Sequence, residues 1–118
     1  MSVDPASLAA AYFDSWKAKD FDTLRSLLSD DATFRGPLGT AANAEECIAG
    51  LRGLRQILTD VVIHKMLADQ HDVMTWFDLH TSVAPPAPVV NWMHCVDGKV
   101  RAIRVTFDPR ELIAANQS

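Results

Sequence analysis

The chain has 118 residues, 48% of them apolar and 22% charged, with a formal net charge of -4. That length gives one domain spanning residues 1–118 with one core, and the composition is that of a globular chain. An acidic sum with scattered Lys and Arg excludes nucleic acid as a partner, and no apolar run is long enough for a membrane span.

Asp4-Pro5 opens the first helix, with Asp as the cap and Pro in the first turn. Leu8, Tyr12 and Trp16 then fall on one face, and Lys17 and Lys19 suit its C-terminal end. Asp20 caps a second helix that presents Phe21, Leu24, Leu27 and Leu28 and ends at Ser29-Asp30-Asp31. A short strand over Ala32–Arg35 leads into the turn Gly36-Pro37-Leu38-Gly39. Asn43 and Glu46 form a capping-box pair before a third helix with the stripe Cys47, Ile48, Leu51, Leu54 and Leu58.

After Asp60 the apolar period changes from helical to strand-like. Four runs rich in β-branched and aromatic residues follow, over 61–68, 73–83, 89–96 and 100–107. Asp97-Gly98 is a type I′ hairpin signal, Asp69–Asp72 is a turn, and Ala84-Pro85-Pro86-Ala87-Pro88 is a loop. Helices first and strands last is an α+β pattern, and the four strands read as an antiparallel meander.

Cys47 and Cys95 stand in separate apolar segments without a CxxC, which reads as two buried reduced thiols and a cytoplasmic location. The N-terminus, with an Asp and no basic region, does not read as a signal peptide. No P-loop, nucleophile elbow or dinucleotide fingerprint is present, and no ligand spacing encodes a metal site.

The stretch AYFDSWKAKDFDTLRSLLSDDATFRGPLG and the ending RVTFDPRELI resemble the nuclear-transport-factor-2-like superfamily, and within it the SnoaL-like domains. The resemblance covers nearly the whole chain. It implies a cystatin-like cone in which three N-terminal helices pack on a strongly bent, mainly antiparallel sheet. It also implies a cofactor-independent protein acting on or binding a small hydrophobic molecule, with polyketide cyclases and ketosteroid isomerases as relatives. Laid against the steroid isomerases, Tyr12 matches their helix tyrosine, but the base position falls on Gly36 and the acid position on Trp92.

The two faces of the second long strand can be read either way. Alternation alone sends Trp76, Asp78, His80 and Ser82 to water and Phe77 and Leu79 to the core. The resemblance implies the reverse. It puts Trp76, Asp78 and His80 under the helices, with Val90, Trp92, His94, Ile103, Val105 and Phe107 beside them. In that register Tyr12, Trp16, Phe34, Leu54, Trp76, Trp92, Ile103, Val105 and Phe107 bind substrate, and His80 is a general base oriented by Asp78. Tyr12 and His94 are then the donors to a developing oxyanion, and Arg101 is the inward-facing arginine. The other face, with Phe77, Leu79, Met93 and Cys95, is expected to pair with a second copy as a homodimer. The alternative reading is a non-catalytic ligand-binding or dimerisation domain.

Overall fold

Three polar side chains start the helices by accepting backbone N–H groups that have no intrahelical partner. In the computed structural model, which describes residues 4–117, Asp4 Oδ1 accepts from the Ser7 amide at 2.7 Å. Asp20 Oδ1 accepts from Thr23 at 3.1 Å, and Asn43 Oδ1 from Glu46 at 2.9 Å. Glu46 Oε1 reaches back to the Ala42 amide at 2.9 Å, one residue before the cap, in a variant of the capping-box exchange. The helices are α1 (Pro5–Lys17), α2 (Phe21–Ser26) and α3 (Ala44–Arg55). The signal-peptide reading falls partly outside the described residues.

Six strands form one sheet: β1 (Leu28–Gly36), β2 (Gly39–Ala41), β3 (Leu58–Ala68), β4 (Asp72–Thr81), β5 (Ala87–Val96) and β6 (Lys99–Thr106). Their order is β2-β1-β6-β5-β4-β3. The last four make the expected antiparallel meander, and β1 lies parallel to β6. Asp97 and Gly98 both take positive φ, at 52° and 74°, as a type I′ turn requires. Asp69 Oδ1 accepts from the amides of His71 and Asp72 at 2.9 and 2.8 Å and fixes the β3–β4 turn.

The fold class is the α+β cone expected, with several boundaries moved. The first strand begins at Leu28, not Ala32, because fully buried Leu28 pairs with Val100 of β6. Ser29-Asp30-Asp31 therefore lies inside β1 instead of ending a helix. Leu58 opens β3 rather than closing α3. Two elements were not foreseen: the three-residue β2, and α4 (Arg110–Gln117), from which Leu112 is buried.

Register shifts between Leu58 and Asp60 and between Ile63 and Lys65 on β3, and at Arg101 on β6 opposite His94 and Cys95, mark bulges. Bulges bend and twist the strands that carry them, giving the sheet a concave side. The helices cover that side. Phe13 of α1 meets Phe77 of β4 edge to face at 5.1 Å between centroids. The Trp16 indole nitrogen donates to the Leu51 carbonyl at 2.9 Å, tying α1 to α3.

Strand parity follows simple alternation and corrects the placement implied by the resemblance. Val73, Thr75, Phe77 and Leu79 of β4 are buried beneath the helices, as are Val89, Asn91, Met93 and Cys95 of β5. Trp76 is 54% exposed and Met74 50% exposed on the opposite face. Burial of the more apolar set accounts for this: Phe77, Leu79 and Met93 remove more apolar surface from water than Asp78, His80 and His94 would. Arg101 is likewise outward. The bulge between His94 and Cys95 leaves it outside the pairing, 3.4 Å from the exposed Asp31.

Candidate functional site

A cavity of about 400 Å³ lies between α1, α3, the turn after β1 and the concave face of the sheet. Its size is within the usual range for small-molecule sites. Its helical wall carries Tyr12, Phe13, Trp16, Leu51 and Leu54, and its sheet wall carries Phe77, Leu79, Val89, Asn91 and Val105. Phe34 and Phe107 add aromatic surface from β1 and the segment after β6.

Few polar groups reach this cavity. Tyr12 is 1% exposed, and burial pushes its phenol far above the usual range, so it stays a neutral O–H. Cys47 is buried, its thiol pushed up to about 11 chiefly by burial and in lesser part by Glu46. Its sulfur donates to the Ala32 carbonyl at 3.5 Å. Glu46 is exposed at the rim, and one of its oxygens is used by the α3 capping box. Among the described residues that line it there is no Lys, Arg or His.

Asn91 is 3% exposed, in the middle of β5 and opposite Thr75 and Val105. Its side-chain carbonyl oxygen finds no hydrogen-bond partner among the described residues. A buried acceptor without a donor costs about 1–3 kcal/mol, so its place on the cavity wall calls for a reason.

Of the residues expected to line a site, Tyr12, Trp16, Phe34, Leu54, Val105 and Phe107 do so. Ile103 is fully buried in the core and is not part of the lining. Trp76, Asp78, His80, Trp92 and His94 lie on the outer face and take no part in the cavity. Asp78 pairs with His64 at 2.9 Å, not with His80, whose cross-strand neighbour is Asp60. His94 Nδ1 lies 2.9 Å from Asp72 Oδ1, with its ring stacked on Trp92 at 6.0 Å. The expected His80–Asp78 pair beneath the helices is therefore not formed.

Among the lining residues that sequence reasoning missed, Asn91, Phe77, Leu79 and Val89 come from β4 and β5, and all four follow once parity is set. The signal was present: Phe77 and Leu79 alternate with Trp76 and Asp78, and the blind rule of apolar-in, polar-out selects them. Among the described residues no cluster of three or more His, Cys, Asp or Glu side chains could hold a metal ion. No described helix is long and apolar enough to cross a membrane.

Among curated proteins nothing matches this chain. Solved structures do. A protein from Kribbella flavida DSM 17836 is 23% identical, with a TM-score of 0.91 over 98% of this chain and 96% of that one. A steroid delta-isomerase from Pseudomonas aeruginosa is 23% identical, with a TM-score of 0.78 over 95% and 85%. An LEH-like epoxide hydrolase from M. tuberculosis is 21% identical, with a TM-score of 0.75 over 92% and 85%. At such identities these likenesses establish a shared fold, on which chemistry differs from protein to protein. The sequence profile of the SnoaL-like domain matches residues 9–103, and the chain belongs to that family.

Proposed function

We propose that this protein binds a small, hydrophobic, uncharged molecule in the cavity beneath α1 and α3, without a cofactor. The observation that carries this reading is the lining: aromatic and aliphatic side chains, with Tyr12 and Asn91 as polar groups deep in the wall. That is the make-up of a small-molecule site.

Binding is favoured over acid–base catalysis by the same lining. Proton abstraction near neutral pH needs a base within hydrogen-bond reach of the substrate. Tyr12 and Cys47 are both pushed away from neutrality by burial, and Glu46 sits at the rim as a helix cap. The cyclase, isomerase or dehydratase alternative would have to draw on Glu46, since His80, Asp78 and His94 lie on the far side of the sheet. Two free, buried thiols support a reducing, cytoplasmic setting.

Naphthalene is a suitable probe, with binding read by calorimetry. Saturable binding that falls at least about tenfold in Val105→Trp, with the far-UV spectrum retained, is the expected result. Undetectable binding, or binding indifferent to that variant, removes the cavity reading.

The outer face supports a second element of the proposal, a homodimer through the sheet. Cross-strand pairs Met74–Trp92 and Trp76–Val90 set four apolar side chains side by side, with Met74 and Trp76 half exposed. Patches of this kind mark interaction surfaces, and a twofold pairing would lay these rows against their own copies. A dimeric mass by light scattering that becomes monomeric in Trp76→Asp is expected. A monomer at all concentrations removes this element.

A further inference from the structure

A second apolar recess of about 400 Å³ adjoins the cavity, between α4, the turn after β1 and the segments that follow α3 and β4. Leu38 and Leu54 line both spaces. From this we infer that the ligand is elongated: its ring sits in the cavity, and a linear aliphatic tail passes Leu38 and Leu54 into the recess beside α4. The inference rests on the cavity reading above and adds the shape and the tail chemistry which that reading leaves open.

Three walls of the cavity run on into the recess. Leu51 and Leu54 of α3 line the cavity, and Ile57, just past that helix, lines the recess. Leu79 of β4 gives way to Val83, and Phe107 after β6 gives way to Leu112 and Ile113 of α4. The Ser82 amide donates to the Ile57 carbonyl at 2.8 Å, which pins the segments after α3 and β4 together as a fixed floor. The residues common to both spaces are two leucines, whose side chains change rotamer without moving the backbone.

The recess differs from the cavity in kind. Every side chain that lines it is aliphatic, with no ring, no hydrogen-bonding group and no charge. A polar or charged tail would be desolvated there without a partner, whereas methylenes gain from burial. Leu38, Val83 and Ile113 are 49%, 46% and 42% exposed, so the recess leaves large apolar side chains in water until something covers them. A peptide would bring backbone N–H and C=O groups against side chains that offer them no partner. An alkyl tail brings apolar surface alone.

Naphthalene, 2-ethylnaphthalene, 2-butylnaphthalene and 2-hexylnaphthalene test this, each held below its solubility limit and titrated calorimetrically with the protein. Affinity should rise about twofold to fourfold with each added methylene, so that the hexyl probe binds at least about thirtyfold tighter than naphthalene. Ile113→Asp and Val83→Asp put a carboxylate into the recess from two different elements, both at half-exposed positions. In each, naphthalene affinity should stay within about twofold while the advantage of the hexyl probe falls at least about tenfold. Ile113→Leu should keep that advantage. No gain with tail length overturns the inference. A gain that survives both carboxylates does the same, since the tail would then lie wholly within the cavity. A dimeric mass that Ile113→Asp alone abolishes would assign the recess to a second copy and also overturn it. Absence of naphthalene binding in the unaltered protein would instead remove the cavity reading on which the inference stands.

Discussion

Asp78 Oδ2 lies 2.9 Å from His64 Nε2, and both belong to the sheet face turned away from the cavity. The pair is partly exposed, and surface ion pairs contribute little to stability, about 0–1 kcal/mol. Asp78→Asn and His80→Ala should therefore leave naphthalene affinity within about twofold of the unaltered protein, because neither residue touches the cavity and such surface pairs couple weakly. Calorimetric titration of the two variants checks this. A tenfold loss in either would show that the outer face shapes the site.

The legibility of the site in the sequence turns on the parity of β4. The caps Asp4, Asp20 and Asn43 and the Asp97-Gly98 turn act locally, so the helices and the last hairpin could be read from neighbouring residues. Parity is not local. Moving a strand by one residue sends every side chain to the other face, and alignment to distant relatives carries that one-residue uncertainty. Trp76, Asp78 and His80 looked like site chemistry because aromatic and ionisable residues are common in pockets, yet the same residues stabilise an exposed sheet face. The bulges on β3 and β6 further spoil counting across strands. The start of β1 is hard to read because Ser29-Asp30-Asp31 has the composition of a turn, whereas its pairing with β6 is set by a residue far along the chain, Val100. The last helix, α4, is only eight residues long, too short for a clear apolar period, and Leu112 is the buried residue among those described in it.

Trp16 joins the two helices that roof the cavity through its bond to Leu51. Trp16→Phe removes that bond and part of a buried ring. The expected loss is roughly 1–3 kcal/mol in urea denaturation, with the m-value unchanged. An unchanged midpoint would mean that α1 and α3 hold together without it.

Gly50 and Gly53 lie within α3, and a Cβ added to either meets no atom within 4 Å. Glycine inside a helix costs roughly 0.5–1 kcal/mol relative to alanine. Gly50→Ala and Gly53→Ala should each raise stability by about that amount in the same denaturation assay. A fall would indicate that the helix needs backbone freedom at those positions.

Cys47 and Cys95 are both buried with thiols pushed up to about 11 from 9.0, and only Cys47 lines the cavity. Both should react slowly with iodoacetamide at mildly alkaline pH, since the thiolate is the nucleophile. Saturating naphthalene should slow Cys47 further and leave Cys95 unchanged. The raised values also set the direction of the alkaline limit. Stability from the protonated thiols is fully present below the unfolded value near 9.0 and is lost as pH rises through about 11. Cys47→Ala should flatten that decline, and mass-resolved alkylation with pH-dependent melting tests both statements.

Asn91 should cost the ligand-free protein stability. Its carbonyl is buried without a partner, and leucine has a similar size without the polar atoms. Replacing a buried orphan by an apolar group of like shape is neutral or stabilising, by up to about 1–3 kcal/mol. Asn91→Leu should therefore melt at a temperature equal to or a few degrees above the unaltered protein. Clear destabilisation of Asn91→Leu, by more than about 1 kcal/mol, would show instead that the amide is satisfied in solution and that the strand needs it for folding.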